Sequence, residues 1–136
     1  MSFSSIVSKG VTRLPTRPSW VDYFFSLATL VATRATCPRA HCGVVIVDPA
    51  THRVLATGYN GAPAGFEHCD DVGCWMENNH CMRSVHAEAN AIASAARFGV
   101  RLDGAVAYVS APLAVCLRCR KELTSAGITT INEQHN

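Results

Sequence analysis

Residues 84–97 read SVHAEANAIASAAR, and how they are taken decides the fold. The run is alanine-rich and predicts a helix from about 85 to 98, closed by Gly99 as its C-cap. Its opening is unusual, because a histidine and a glutamate flank an alanine at the helix start. Apolar stretches lie on either side. Upstream, GVVIVD (43–48) is β-branched and fits a strand covered on both faces. PATH (49–52) turns the chain, and RVLATG (53–58) returns as a hairpin partner. Downstream, GAVAYVS (104–110) predicts a third strand. CLRCRKELTSAG (116–127) predicts a second amphipathic helix ending at Gly127, and ITTI (128–131) a final strand. Strands alternating with helices give an α/β sheet with helices on its faces. Parallel order is expected among the later strands, because each connection contains a helix.

A further helix opens at Pro18-Ser19. Ser19 can cap it, with Asp22 at the third helical position as in a capping box. Trp20, Phe24, Leu27, Ala28 and Val31 recur at spacings of three and four, which makes one buried face. Pro38 disfavours helix at Cys37 and ends the pattern. Residues 1–17 lack periodicity and are expected to form a flexible arm, with 18–136 as one domain. GYNGAPAG (58–65) is a glycine-punctuated loop. Residues 66–83 form a long loop holding three cysteines, and loops of that length in compact domains are functional or tied down.

The chain has 136 residues, 49% hydrophobic and 16% charged, which suits a packed core rather than a disordered chain. A net charge of +2 from scattered basic residues gives no reason to expect a nucleic-acid partner. No apolar run approaches the roughly 20 residues that span a bilayer, and no export signal is evident, so no membrane and a cytoplasmic location are expected. The seven cysteines cannot all pair internally. Without an export signal they are expected to stay reduced. Mixed with six histidines they point to metal, although any single one also suits the core as a small apolar residue.

Two pairs carry the chemistry. His86-Ala87-Glu88 opens one helix and Cys116-Leu117-Arg118-Cys119 opens the next. A C-x-x-C pair at a helix start puts two sulfurs on one face, where the positive helix end favours thiolate. One histidine and two cysteines leave a tetrahedral zinc with an open position. Glu88, two residues from His86, points about 200 degrees around a regular helix and should not ligate the same ion easily. It can still reach the pocket and carry protons between water and a leaving amine. H-x-E followed by C-x-x-C is the pattern of zinc-dependent nucleobase deaminases. A non-catalytic zinc module would have no use for Glu88 or for an open position.

The likeness extends beyond these ligands. RPSWVDYFFSLATLVATRATCPRAHCGVVIVD (17–48), ATGYNGAPAGFEHCDDVGCW (56–75), NHCMRSVHAEANAI (79–92) and AGITTI (126–131) together resemble the deoxycytidylate (dCMP) deaminase family, including its bacterial competence-type and phage members. The resemblance implies a three-layer α/β/α cytidine-deaminase-like fold with a mixed sheet of four to five strands. It implies hydrolysis of dCMP to dUMP and ammonia, with His86, Cys116 and Cys119 as zinc ligands, Glu88 as proton shuttle, and Asn60 and Ala87 against substrate. Asn60 is otherwise a turn residue accepting positive φ beside Gly61. In regulated relatives dCTP activates and dTTP inhibits near the loop that here holds Gly58, Tyr59 and Gly61. Arg97 matches an interface position in hexameric relatives. Some phage relatives carry a second, structural zinc, for which Cys37 and Cys69 match ligand positions and Cys74 and His80 lie nearby. Packing around Phe66, Trp75 and Met76 is the alternative way to hold that loop. Arg34, Arg39, Arg83 and Arg118 are candidates for the phosphate, although each one alone reads better as solvated surface charge.

Two departures stand out. Val115 occupies the place where the family usually has proline, and YVSAPLAVC (108–116) is longer than its counterpart by about two residues. His41-Cys42 stands where Lys-Val is common. The first bears on the pocket wall, so substrate preference stays open between dCMP and another nucleoside, nucleotide or nucleobase such as cytidine or guanine.

Overall fold

Residues 16–135 are described by the structure, a computed structural model, so the arm expected over 1–17 falls almost wholly outside them. Helix α1 (Trp20–Ala32) leads into the hairpin β1 (Gly43–Val47) and β2 (Val54–Tyr59). A one-turn helix α2 (Cys69–Val72) and a small hairpin, β3 (Met76–Glu77) and β4 (His80–Cys81), interrupt the long loop. Then come α3 (Ala87–Phe98), β5 (Val106–Ala111), α4 (Leu117–Ser125) and β6 (Thr130–His135).

The main sheet has the order β2-β1-β5-β6. β1 is antiparallel to both neighbours, and β5 is parallel to β6. Strands β2, β5 and β6 therefore run the same way, as helix-containing connections require. The expected parallel order of the later strands holds, with β5 and β6 adjacent, while β1, inserted between β2 and β5, makes the sheet mixed. The main sheet has four strands among the described residues. β6 runs past ITTI as far as His135.

Every residue of β1 is buried, because helices cover both of its faces. Phe24 and Ala28 of α1 pack on Val45 and Val47 on one side. Ala91 and Ala95 of α3 and Leu123 of α4 pack on Val44, Ile46, Ala107 and Val109 on the other. The result is the three-layer α/β/α arrangement. Ser19 caps α1 as expected, its Oγ accepting from the Asp22 N–H at 3.1 Å. Trp20 departs from the buried face. It stands at the first helical position, is 52% exposed, and stacks on His52 of the β1–β2 turn at 4.2 Å.

Gly58 sets the height of α3 above the sheet. A Cβ there would lie 2.3 Å from the Ala87 carbonyl oxygen and 2.5 Å from the Ala91 nitrogen. Only a residue without a side chain lets the helix backbone descend this far. The residue between His86 and Glu88 thus rests directly on β2.

Candidate active site

Helix α3 begins later than its sequence pattern predicts. His86 is the N-cap, with extended φ −62° and ψ 148°. Cys116 is likewise the N-cap of α4, at φ −69° and ψ 160°. Its Sγ accepts from the Cys119 N–H at 3.4 Å, as a capping oxygen would. Two helix N-termini, each with unpaired N–H groups and partial positive charge, therefore meet at one place. The rotation that put Glu88 opposite His86 assumed both lay within the helix. With His86 outside it, Glu88 lines the same cavity as His86 and Cys116.

His86 Nδ1 lies 3.3 Å from Cys119 Sγ and 3.7 Å from Cys116 Sγ. All three donors fall within 4.8 Å of one another. A tetrahedral zinc with bonds of about 2.0 Å to nitrogen and 2.3 Å to sulfur places such atoms about 3.5 Å apart, and two sulfurs about 3.8 Å apart. The two nitrogen–sulfur separations bracket the first value, and the two sulfurs lie within 4.8 Å of each other. Burial pushes the Cys119 thiol far up, and the nearby Glu88 charge and Cys116 add to this. A donor so reluctant to ionise beside a carboxylate is suited to a cation that would reverse the balance. The residues fit zinc.

The cavity beside them has a volume of about 360 Å³. Asn60, Ala87 and Glu88 line its floor, and 112–115 form part of its wall. Glu88 is 6% exposed and Asn60 is 8% exposed. Cys42 also lines it, its thiol pushed up to about 11 by burial, then by Glu88 and Cys37. Asn60 has no positive φ, so the left-handed turn reading fails. Its Oδ1 accepts from the Cys42 N–H and its Nδ2 donates to the Ala40 carbonyl, both at 2.8 Å. One hydrogen and one lone pair of the amide remain for a ligand.

Asn90 was not singled out by its sequence context. Its Nδ2 donates to the Tyr59 carbonyl at 2.8 Å and approaches those of Gly61 and Val85 at 3.3 Å. Gly61 and Val85 also exchange two backbone hydrogen bonds at 3.0 Å. The GYNG loop is thereby tied to the start of α3. The one available signal was a polar residue four positions after His86 in an alanine-rich helix.

Of the four candidate arginines, Arg39 lines the cavity, with Nη1 3.0 Å from Met76 Sδ. Arg83 is engaged by Glu67 at 2.9 Å and by the Gly73 carbonyl at 3.2 Å. Arg118 pairs with Glu122 at 2.9 Å on the outer face of α4, and Arg34 is exposed. Arg97 is exposed in the last turn of α3, its guanidinium 5.5 Å from the Phe98 ring centre.

The long loop carries its own cluster. Cys69, Cys74 and Cys81 place their sulfurs within 4.8 Å of one another, with Cys69 and Cys81 3.5 Å apart. This differs from the expected grouping of Cys37, Cys69, Cys74 and His80. The β3–β4 hairpin pairs Met76 with Cys81 and Glu77 with His80. Successive strand residues face opposite ways, so Cys81 joins Cys69 and Cys74 while His80 does not, although both border the cavity. Cys37 is buried and also lines the cavity, near enough to raise the Cys74 thiol. Burial lifts Cys69 to about 12, helped by hydrogen bonds with Cys81 and Cys74. Burial opposes ionisation of Cys81 too, but backbone N–H groups of Ser84, Trp75 and Arg83 outweigh it and bring the thiol down to about 7.

No helix among the described residues is long and apolar enough to cross a membrane. The chain is similar to ComE operon protein 2 of Bacillus subtilis, 46% identical over 115 residues, covering 85% of this chain and 59% of that protein. It thus spans little more than half of that relative. It is 35% identical over 126 residues to the deoxycytidylate deaminase of Mycobacterium phage D29, covering 85% of this chain and 94% of the phage protein. Among solved structures, the dCMP deaminase of cyanophage S-TIM5 in complex with dCMP and dUMP superposes with a TM-score of 0.69 at 26% identity, over 88% of this chain and 85% of that one. The family profile for the cytidine and deoxycytidylate deaminase zinc-binding region matches residues 18–133, where the three-donor site and its carboxylate lie, and the chain belongs to that family.

Proposed function

We propose that the chain catalyses the hydrolytic deamination of dCMP to dUMP and ammonia. One observation carries the reading: a buried carboxylate, Glu88, lines the same cavity as His86 and Cys116, two members of a His-Cys-Cys donor set with zinc spacing. A zinc module without catalysis has no need of a carboxylate there. The dCMP-bound relative and the phage deaminase of similar extent favour dCMP over other bases.

His86, Cys116 and Cys119 would hold the ion. When bound, zinc supplies Lewis acidity that makes water a nucleophile near neutral pH. Glu88 takes the proton from that water and delivers it to the ring nitrogen beside the amino-bearing carbon. That carbon becomes electrophilic, a carbon–oxygen bond forms, and the ring is briefly tetrahedral there. Glu88 then carries the proton of the new hydroxyl to the amino group, the carbon–nitrogen bond breaks, the hydroxyl oxygen becomes the product carbonyl, and ammonia leaves. Ala87 stands first in α3, so its N–H has no intrahelical acceptor and is available to the base carbonyl. The remaining Asn60 valences suit the sugar, and Arg39 suits the phosphate.

The proposal has four further parts. Cys69, Cys74 and Cys81 hold a second, structural zinc, with buried Cys37 as the fourth donor. Copies of the chain assemble, as hexamers in the pattern of regulated relatives, through surfaces that include Arg97 and exposed Phe98. Nucleotides of the dCTP and dTTP type act near Gly58, Tyr59 and Gly61, and the protein works in the cytoplasm.

The test is ammonia release from dCMP, dCTP, deoxycytidine, CMP and guanine, with and without added dCTP. Release confined to dCMP is expected. Release from guanine or deoxycytidine alone moves the substrate, and no release from any of them ends the enzymatic reading. Two zinc ions per purified chain are expected; one would sink the structural site.

A further inference from the structure

The backbone of Val115, immediately before Cys116, is held on both sides. Its N–H donates to Glu133 Oε1 at 2.8 Å, and its carbonyl accepts from Arg120 Nε at 3.2 Å. Glu133 Oε2 and Arg120 Nη2 close the ring as an ion pair. Each residue comes from a different piece of the fold. Glu133 lies in β6, beside Val109 of β5. Arg120 follows Cys119 in α4, and Val115 ends the cavity wall.

The need for such a clamp follows from the chain. Residues 112–114 are exposed, Leu113 at 76%, and so gain little position from packing. The Val115 side chain is buried at 7%, which takes its N–H out of water and makes an acceptor obligatory. A carboxylate is a strong acceptor there, and an arginine fork can hold it while also meeting the carbonyl of the same residue. The Val115 N–H, joined by Arg120, keeps the Glu133 carboxyl below its usual range.

We infer that Glu133 and Arg120 are positioning residues for the reaction. They fix Val115, and through it both the direction of the Cys116 thiol and the wall at 112–115. Neither touches the reacting atoms. The clamp governs how long zinc is retained and how tightly substrate is held. The inference rests on the proposed zinc site but not on the identity of the base.

The test uses the zinc-loaded protein. Zinc release to an excess of a chromophoric chelator is followed without substrate, and KM and kcat for dCMP are measured separately. Glu133→Ala should release zinc about tenfold faster, the scale seen when supporting partners of metal ligands are removed. Its KM should rise, because the wall moves with Val115. Glu133→Gln, which keeps an acceptor for the N–H but loses the ion pair, should fall between. Val115→Pro removes the N–H that Glu133 serves but leaves the Arg120 arm, so adding Glu133→Ala to it should speed zinc release by a smaller factor than Glu133→Ala does alone.

A merely structural role would lower the folded fraction, and with it apparent kcat, while leaving KM and zinc release unchanged. That result would overturn the clamp, as would effects of Glu133→Ala and Val115→Pro that simply multiply. If Val115→Pro does not fold, equal zinc release by Glu133→Ala and wild type overturns it alone. A wild-type protein that binds zinc but deaminates nothing would defeat the deaminase reading and leave the zinc-release test standing.

Discussion

The molecule contains two sulfur-rich clusters of similar spread and opposite support. His86, Cys116 and Cys119 sit at the starts of two helices that are packed on the sheet. Gly58 sets the height of the first helix and Asn90 ties it to the loop below. Cys69, Cys74 and Cys81 sit on a segment whose regular structure is one helical turn and two strands of two residues. Exposure runs the other way. In the first cluster His86 and Cys116 are exposed, whereas in the second every cysteine is buried or half-buried. A scaffold that is rigid without metal can leave a coordination position open to a substrate. A segment with little framework of its own needs its donors turned inward, where they can join distant parts of a loop. Chemistry belongs with the first arrangement and stapling with the second.

Four measurements bear on that division. The largest effect is expected from Glu88→Gln. Turnover should fall by about a thousandfold or more while both zinc contents stay unchanged. Near-normal ammonia release from this variant would remove Glu88 from the mechanism. Next come the clusters themselves. Cys119→Ser should lose one zinc and all measurable activity. Cys81→Ser should lose the other zinc, lower the melting temperature, and keep a large part of kcat. If both variants are equally inactive at a temperature where both are folded, the two clusters do not have separate tasks.

A smaller change is expected from Arg39→Ala, which should raise KM for dCMP about tenfold, the scale of one charge-assisted contact, and leave competitive inhibition by deoxycytidine unchanged. An equal weakening of both would deny it the phosphate. The smallest effect concerns acid. The Glu133 carboxyl is held below the usual range, first by the Val115 N–H and then by Arg120. Its folded value is therefore lower than its unfolded one. Its contribution is complete above the ordinary glutamate value of about 4.3 and is lost as pH falls through the folded value. The difference in thermal midpoint between wild type and Glu133→Gln should thus be constant near neutrality and shrink toward pH 3. A difference that grows in acid would contradict the assignment.

Much of this was legible in the residues. The alternation of apolar strands and helices gave the layers, and His86, Cys116 and Cys119 were identifiable because short spacings at helix starts are local geometry. The insertion of β1 between β2 and β5 was not legible, since periodicity reports a strand's faces and not its neighbours. That Cys81 lies beside Cys69 and Cys74 was not legible for a similar reason. A hairpin with strands of two residues has too short a pattern to say which residue faces in. Glu133 was invisible because one of its partners is a backbone N–H, and no side-chain pattern records which amide lacks an acceptor.

The close seating of α3 on Gly58 has a consequence for how the protein could be altered. Ala87 and Ala91 meet that glycine backbone to backbone, so the floor of the cavity tolerates almost no added volume. Residues 112–114 meet solvent and can vary in size and length as long as Val115 stays anchored. Selection for a new base or sugar, natural or in the laboratory, would find its freedom on that one wall.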